Sequence, residues 1–162
     1  MALERLWAPW RLEYVQHADE QDGCFICRAA ESDDDESHLV VHRGERAFVL
    51  LNKFPYASGH LLVAPYRHDS DFPDLDDAEA LEVHRLGTQG LDALRMAYAT
   101  EGFNLGWNVG RVAGAGITDH AHLHVVPRWN GDTNFMPVVG AVKVLPEHLL
   151  ATRAKLAAGW PH

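Results

Sequence analysis

Three histidines alternate with apolar residues in His120-Ala121-His122-Leu123-His124. A period of two is that of a β-strand, whose successive side chains point to opposite faces. On such a strand His120, His122 and His124 share one face, successive members about 6–7 Å apart. Ala121, Leu123 and Val125 then bury the other face. Packing a core gives no reason for three imidazoles in a row; the alternative to a reactive site is a solvated sheet face. Two chemistries use such a row. The histidines hold a metal ion, or one attacks as a nucleophile while another donates to a phosphate. Neutral imidazole is a good nucleophile toward phosphorus, and the phosphoramidate it forms is labile enough to pass the group on.

The elements that must position this row are legible on either side of it. A small-residue loop over 110–118 leads into the histidines, and its glycines let backbone N–H groups approach phosphate oxygens closely. Residues 39–42 and 46–52 are rich in Val, Leu and Phe with turn residues between them, the pattern of an antiparallel pair. A loop over 53–59 joins them to a third strand over 60–65, and 102–109 gives a fourth. Residues 75–100 form a long helix, with Val83, Gly87, Leu91, Leu94 and Tyr98 on one apolar stripe. Asp74, Asp76 and Asp77 near its start complement the helix dipole. A closing helix runs from 146 to about 158. Five strands with one long inserted helix predict an antiparallel α+β domain.

At 162 residues the chain suits a single domain, with a core over about 24–137, an aromatic-rich arm over 1–20 and a helical tail over 146–162. The arm, and the tail with Trp160, are expected to pack over a neighbouring subunit. A formal charge of −9 excludes general affinity for nucleic acid, while leaving room for a small anionic substrate in a locally positive site. No apolar run reaches a membrane span and the first residues lack a signal-peptide layout, so no membrane partner is expected and the cytoplasm is the expected compartment. The acidic run over 31–36 reads as a solvated loop.

Both cysteines sit in Cys24-Phe25-Ile26-Cys27. In a reducing compartment that spacing suggests a metal clip or a redox pair before a disulfide. Two thiolates are half of a tetrahedral zinc site. His17, His38, His42, His60, His68, His84 and His120 are candidates for the other half. Arg128 and Lys143 are read either as ion-paired surface residues or as polyphosphate contacts.

The stretch His120-Ala121-His122-Leu123-His124-Val125-Val126 matches the motif of the histidine triad superfamily: His, apolar, His, apolar, His, two apolars. Asn52 with Gly59-His60-Leu61-Leu62-Val63 and Pro65 resembles that family's nucleotide-binding strand–loop–strand. The similarity runs from about residue 24 to 137. Asn108 to Gly114 and Pro127 to Phe135 look like the branch of the fragile histidine triad hydrolases and the small diadenosine tetraphosphate phosphorylases.

The resemblance implies attack of the middle histidine on the α-phosphorus of a dinucleoside polyphosphate. Water or inorganic phosphate, the latter as co-substrate, then releases the nucleotide. Position by position, His122 is the nucleophile, His124 a donor to the phosphate or leaving group, and Asn108 a phosphate contact. Asn52 would hold a ribose hydroxyl, and His60 would orient the histidine strand. Adenine would rest on Phe48 and Leu50. Related proteins often carry Gln, Ser or Thr where this chain has Gly116 and Ile117; Thr118 can supply the hydroxyl instead. That departure leaves phosphorylase and hydrolase both open. The same resemblance implies one structural zinc per chain on Cys24, Cys27, His68 and His120, and a homodimer of joined sheets or a tetramer. An adenosine phosphoramidase acting through the same nucleophile, and a non-catalytic nucleotide-binding sensor, are the other readings.

Overall fold

The computed structural model of the chain describes residues 23–69, 72–113, 120–132 and 146–161. The amino-terminal arm with His17, and Gly116, Ile117, Thr118 and Lys143, lie outside the described residues.

Short apolar runs set the central strands β2 and β3, every residue of which is buried, and turn residues end them. β1 (Val40–Arg43) and β2 (Ala47–Leu51) form a hairpin, and β3 (Leu61–Pro65) adds antiparallel to β2. The long helix α2 (Asp77–Tyr98) follows, then β4 (Gly102–Trp107) and β5 (Leu123–Arg128). The five strands stand in the order β1-β2-β3-β5-β4, all antiparallel. The last strand is thus inserted between β3 and β4. His124 faces Leu62 on one side and Gly106 on the other.

Two layers cover the sheet. On one face α2 and the closing helix α3 (Leu149–Ala158) pack on Val49, Leu51, Leu61, Val63 and Val125. α2 starts with a capping box in which Asp76 and Glu79 each accept the other's backbone N–H. Its buried stripe includes Val83, Leu86, Gly87, Gly90 and Leu94 at three- and four-residue spacings. Gly90 lets the helix come close, because a Cβ there would stand 3.0 Å from the Leu61 side chain. α3 is no loose tail. Leu156 is fully buried, Arg153 donates to the Val40 carbonyl at 2.8 Å, and Trp160 stacks on His42 at 5.2 Å. Trp160 therefore belongs to this chain's own core, and His42 is half-buried against it. None of the described helices is long and apolar enough to cross a membrane.

The opposite face carries α1 (Phe25–Glu31), a short helix that the sequence reading did not foresee. Seven residues give too few turns for an apolar period to stand out. Ile26 and Ala29 lie on Val40, Phe48, Leu50, Leu62 and Ala64. Arg43 caps the carboxyl end of the helix, donating to the carbonyls of Ala29, Ala30 and Ser32 at 2.8, 3.1 and 2.7 Å. Asp35 pairs with the same guanidinium at 2.8 Å, so the acidic run is anchored and only partly solvated.

Candidate active site

β5 is shorter than the sequence predicts. It begins at Leu123, so His124 lies on the strand while His120 and His122 precede it. The physical reason is local hydrogen bonding. Ala121 N–H donates to the Asp69 carbonyl at 2.7 Å, and His122 Nδ1 donates to the His120 carbonyl at 2.7 Å. The triad is thereby divided into two centres, with the His122 and His124 rings 4.7 Å apart and the His120 ring 5.0 Å from that of His68.

At the first centre the hydrogen bonds fix the tautomers. Donation of Nδ1–H to a carbonyl leaves His122 Nε2 with its lone pair, as a nucleophile requires. Burial pushes the His122 imidazole below its ordinary value, so it is neutral near pH 7. His60 precedes β3 and is fully buried. Its Nδ1 accepts the Tyr56 N–H at 3.1 Å, so its Nε2 carries the proton and donates to His124 Nδ1 at 2.9 Å. His124 is left with its proton on Nε2. Asn108 Nδ2, just past β4, stands 3.3 Å from that atom, so the amide accepts the His124 proton when turned to present its Oδ1. His124 is thus flanked by His60 from β3 and Asn108 from β4, because β5 runs between those strands.

Not every expected contact is offered to a ligand. Fully buried His60 reaches only its neighbours, so it supports His124 and does not touch a substrate. Phe48 and Leu50 are 0% and 2% exposed, sealed under α1 and, for Phe48, under the Tyr66 ring at 5.1 Å. They have no surface for adenine. The side chain of Asn52 is half-buried and engaged within its loop: its oxygen accepts the Phe54 N–H at 2.9 Å, and its nitrogen stands 3.4 Å from His60 Nδ1. Arg128 is ion-paired with Asp132 through Nε and Nη2, at 2.6 and 3.0 Å, its Nη1 donates to Asn104 Oδ1 at 3.0 Å, and Trp129 donates to the Tyr98 carbonyl. Tyr56, which no spacing singles out, stacks on His60 at 5.0 Å and faces His124 at 6.4 Å.

The second centre gathers Cys24, Cys27, His68 and His120, with one donor atom from each inside a span of 4.8 Å. His38, His42, His84 and His148 stand apart from it. Cys27 Sγ lies 3.2 Å from His68 Nδ1 and 3.5 Å from His120 Nδ1, and Cys24 Sγ lies 3.5 Å from the latter. Zinc bonds of about 2.3 Å to sulfur and 2.0–2.1 Å to nitrogen, set tetrahedrally, require S···N edges of roughly 3.6 Å. The residues fit such an ion. His120 Nε2 donates to the Pro65 carbonyl at 2.8 Å, which turns Nδ1 toward the thiols, as the outer contacts of a metal ligand do. Burial and the adjacent Cys24 push the Cys27 thiol up to about 11, the cost of crowding two sulfurs without a cation. α1 presents both sulfurs from its amino end, where the Cys24 side chain accepts the Cys27 N–H.

The HIT domain family pattern matches residues 34–131. Over 98% of its length, and 85% of the other's, the chain is 39% identical to a protein of Mycobacterium tuberculosis named AP-4-A phosphorylase. Among solved structures, a Zn-bound histidine triad family protein from Mycobacterium smegmatis superposes with a TM-score of 0.68 at 26% identity, covering 84% of this chain and 91% of that one. The diadenosine triphosphate hydrolase of Plasmodium falciparum, in complex with Cyclomarin A, superposes with a TM-score of 0.62 at 20% identity over 78% of this chain and 77% of that one. That last likeness is one of fold alone. With the His-x-His-x-His run, the five-stranded sheet and a match over most of its length, the chain belongs to the HIT domain family.

Proposed function

We propose that this protein is a nucleotidyl-transferring enzyme that cleaves dinucleoside polyphosphates, with diadenosine tetraphosphate as substrate and inorganic phosphate as acceptor. One observation carries the reading: a neutral His122 with Nε2 free stands beside a His124 whose proton is on Nε2. The first is a nucleophile and the second a hydrogen-bond donor, set apart by their own hydrogen bonds. Likeness to a named AP-4-A phosphorylase over nearly the whole chain favours phosphate over water in the second half-reaction.

In the first step His122 Nε2 bonds to the α-phosphorus and the bond from phosphorus to the bridging oxygen breaks; that oxygen leaves with the bonding electrons as a phosphate anion and accepts a hydrogen bond from His124 Nε2–H. In the second, an oxygen of inorganic phosphate attacks the same phosphorus and the P–N bond breaks, returning His122. Asn108 contacts the phosphoryl oxygens or the bridging oxygen. Gly116 and Thr118 supply further donors, and the second lone pair of Asn52 Oδ1, beside the one that accepts the Phe54 N–H, holds a ribose hydroxyl. Charge stabilisation by such fixed dipoles carries most of the rate.

Cys24, Cys27, His68 and His120 would hold one zinc per chain. A closed set of four protein ligands leaves no position for water, so the ion is structural and fixes the backbone next to His122. Thiolate ligands suit a reducing cytoplasm. β4 ends the sheet, with Leu105 and Val109 48% and 44% exposed, and this edge is where a homodimer would join its sheets.

Product analysis tests the reading. Diadenosine tetraphosphate should yield ADP and ATP only when inorganic phosphate is present. AMP and ATP in its absence would make the enzyme a hydrolase, and no turnover in either case would overturn the assignment.

A further inference from the structure

Beside His124 lies an open trough of about 210 Å³, walled by Tyr56 and Asn108 and floored by Asn104, Gly106 and Val126. The register explains its shape. Asn104 pairs with Val126 and Gly106 with His124, so these four residues share the face on which the imidazole stands. One strand repeat, about 7 Å, separates the two pairs. At Gly106 the floor is bare: a Cβ built there would meet nothing within 4 Å. Its φ lies outside the left-handed region, so the backbone does not require glycine. A glycine inside a strand weakens the sheet, and where neither turn nor crowding calls for one it marks the close approach of something else.

We propose that this trough receives the leaving group, and that the missing side chain of Gly106 admits the phosphates next to the scissile bond. The inference rests on the nucleotidyl-transfer reading above and adds to it the side on which the leaving group sits. In-line displacement puts the leaving oxygen opposite the attacking nitrogen. The trough is lined by His124 and Asn108 and not by His122, so a leaving group seated in it meets the His124 Nε2–H donor rather than the nucleophile. Among the described residues it is lined by amides, a phenol, an indole and apolar groups beside the His124 imidazole, and the Arg128 guanidinium that donates to Asn104 Oδ1 at 3.0 Å is neutralised by Asp132. It therefore selects by bulk and hydrogen bonding rather than by counter-charge. As His122 Nε2 bonds to phosphorus, the leaving oxygen departs with the bonding electrons into the trough, where it accepts a hydrogen bond from His124 Nε2–H. Inorganic phosphate enters by the same route for the second step.

The test compares a large and a minimal leaving group in wild type and in the series Gly106→Ala, Gly106→Val and Gly106→Leu. Diadenosine tetraphosphate supplies the large one. Adenosine phosphorofluoridate supplies the minimal one, since its P–F bond breaks with fluoride taking the electron pair and needing no proton. The ratio of kcat/KM for the two should fall stepwise with side-chain size, by at least about tenfold at valine. A ratio unchanged across the series would overturn the proposal. So would a change of oligomeric mass on size-exclusion chromatography, because Gly106 would then make room for a second copy of the chain. If wild type is adenylylated by the fluoridate yet leaves the tetraphosphate intact, the polyphosphate reading fails. The subsite is then judged by the same ratio with an AMP arylalkyl phosphoramidate as the large partner. Reaction with none of these overturns both.

Discussion

His60 Nε2 donates to His124 Nδ1 at 2.9 Å, and the backbone N–H of Tyr56 is what makes His60 the donor. A main-chain amide has no second protonation state, so it sets the whole chain of tautomers. Replacing His60 with Asn or Ala frees His124 to rotate or to carry its proton on the wrong nitrogen. Turnover should fall by about 10²-fold or more, while KM changes little because His60 has no surface for a ligand. Steady-state kinetics separate the two; a loss confined to KM would contradict the role.

Gly59 holds the residue before His60 at φ +82°, and a Cβ there would come within 2.6 Å of the Leu94 side chain. Gly59→Ala combines left-handed strain with a clash against α2, worth together about 2–4 kcal/mol. Denaturant titration should register the loss as a lower midpoint at unchanged slope. The same change at Gly131, φ +71° with open space around it, should cost less.

Removing the metal should loosen the backbone that carries His122. Protein purified without added metal should contain zinc, and either chelation or Cys24→Ser should lower Tm by at least about 5 °C. Elemental analysis and thermal scans check this together. An equally stable metal-free protein would contradict the structural role.

Much of this was legible in the sequence for definite reasons. α2 buries one face, so a period of three to four survives in its residues, while β2 and β3 are buried on both faces and show as short apolar runs bounded by turn residues. The four candidate metal ligands are separated by up to 96 positions, yet family likeness grouped them where spacing alone left seven histidines open. What escaped was local. α1 is too short for a period, and Cys24 doubles as its cap. His120 and His122 alternate like strand residues, but Ala121 bonds to Asp69 instead of extending the ladder. Phe48 and Leu50 read as a base-binding surface because their cover, α1, was not foreseen. Tyr56 acts through its main chain and ring stacking, which leave no residue pattern.

Glu79 ties the start of α2 to the loop that carries His68. Arg67 donates to both its oxygens at 3.0 and 2.7 Å, and this pair, against the opposing effect of burial, holds the carboxyl below its ordinary 4.5. A carboxyl held low in the native state adds stability that is present above its unfolded value and lost as pH falls through the native one. Thermal stability should therefore drop on acidification below 4.5, and Glu79→Gln should flatten that slope while lowering Tm at neutral pH. Parallel acid profiles for the two proteins would contradict it.

The covalent step is the centre of the account. Wild-type protein mixed with diadenosine tetraphosphate in the absence of phosphate, quenched in alkali and weighed intact, should gain the mass of one adenylyl group. Fragmentation should assign that group to His122, and His122→Asn should show neither the adduct nor turnover. An unmodified His122 during continuing turnover, or full activity in the variant, would contradict the account.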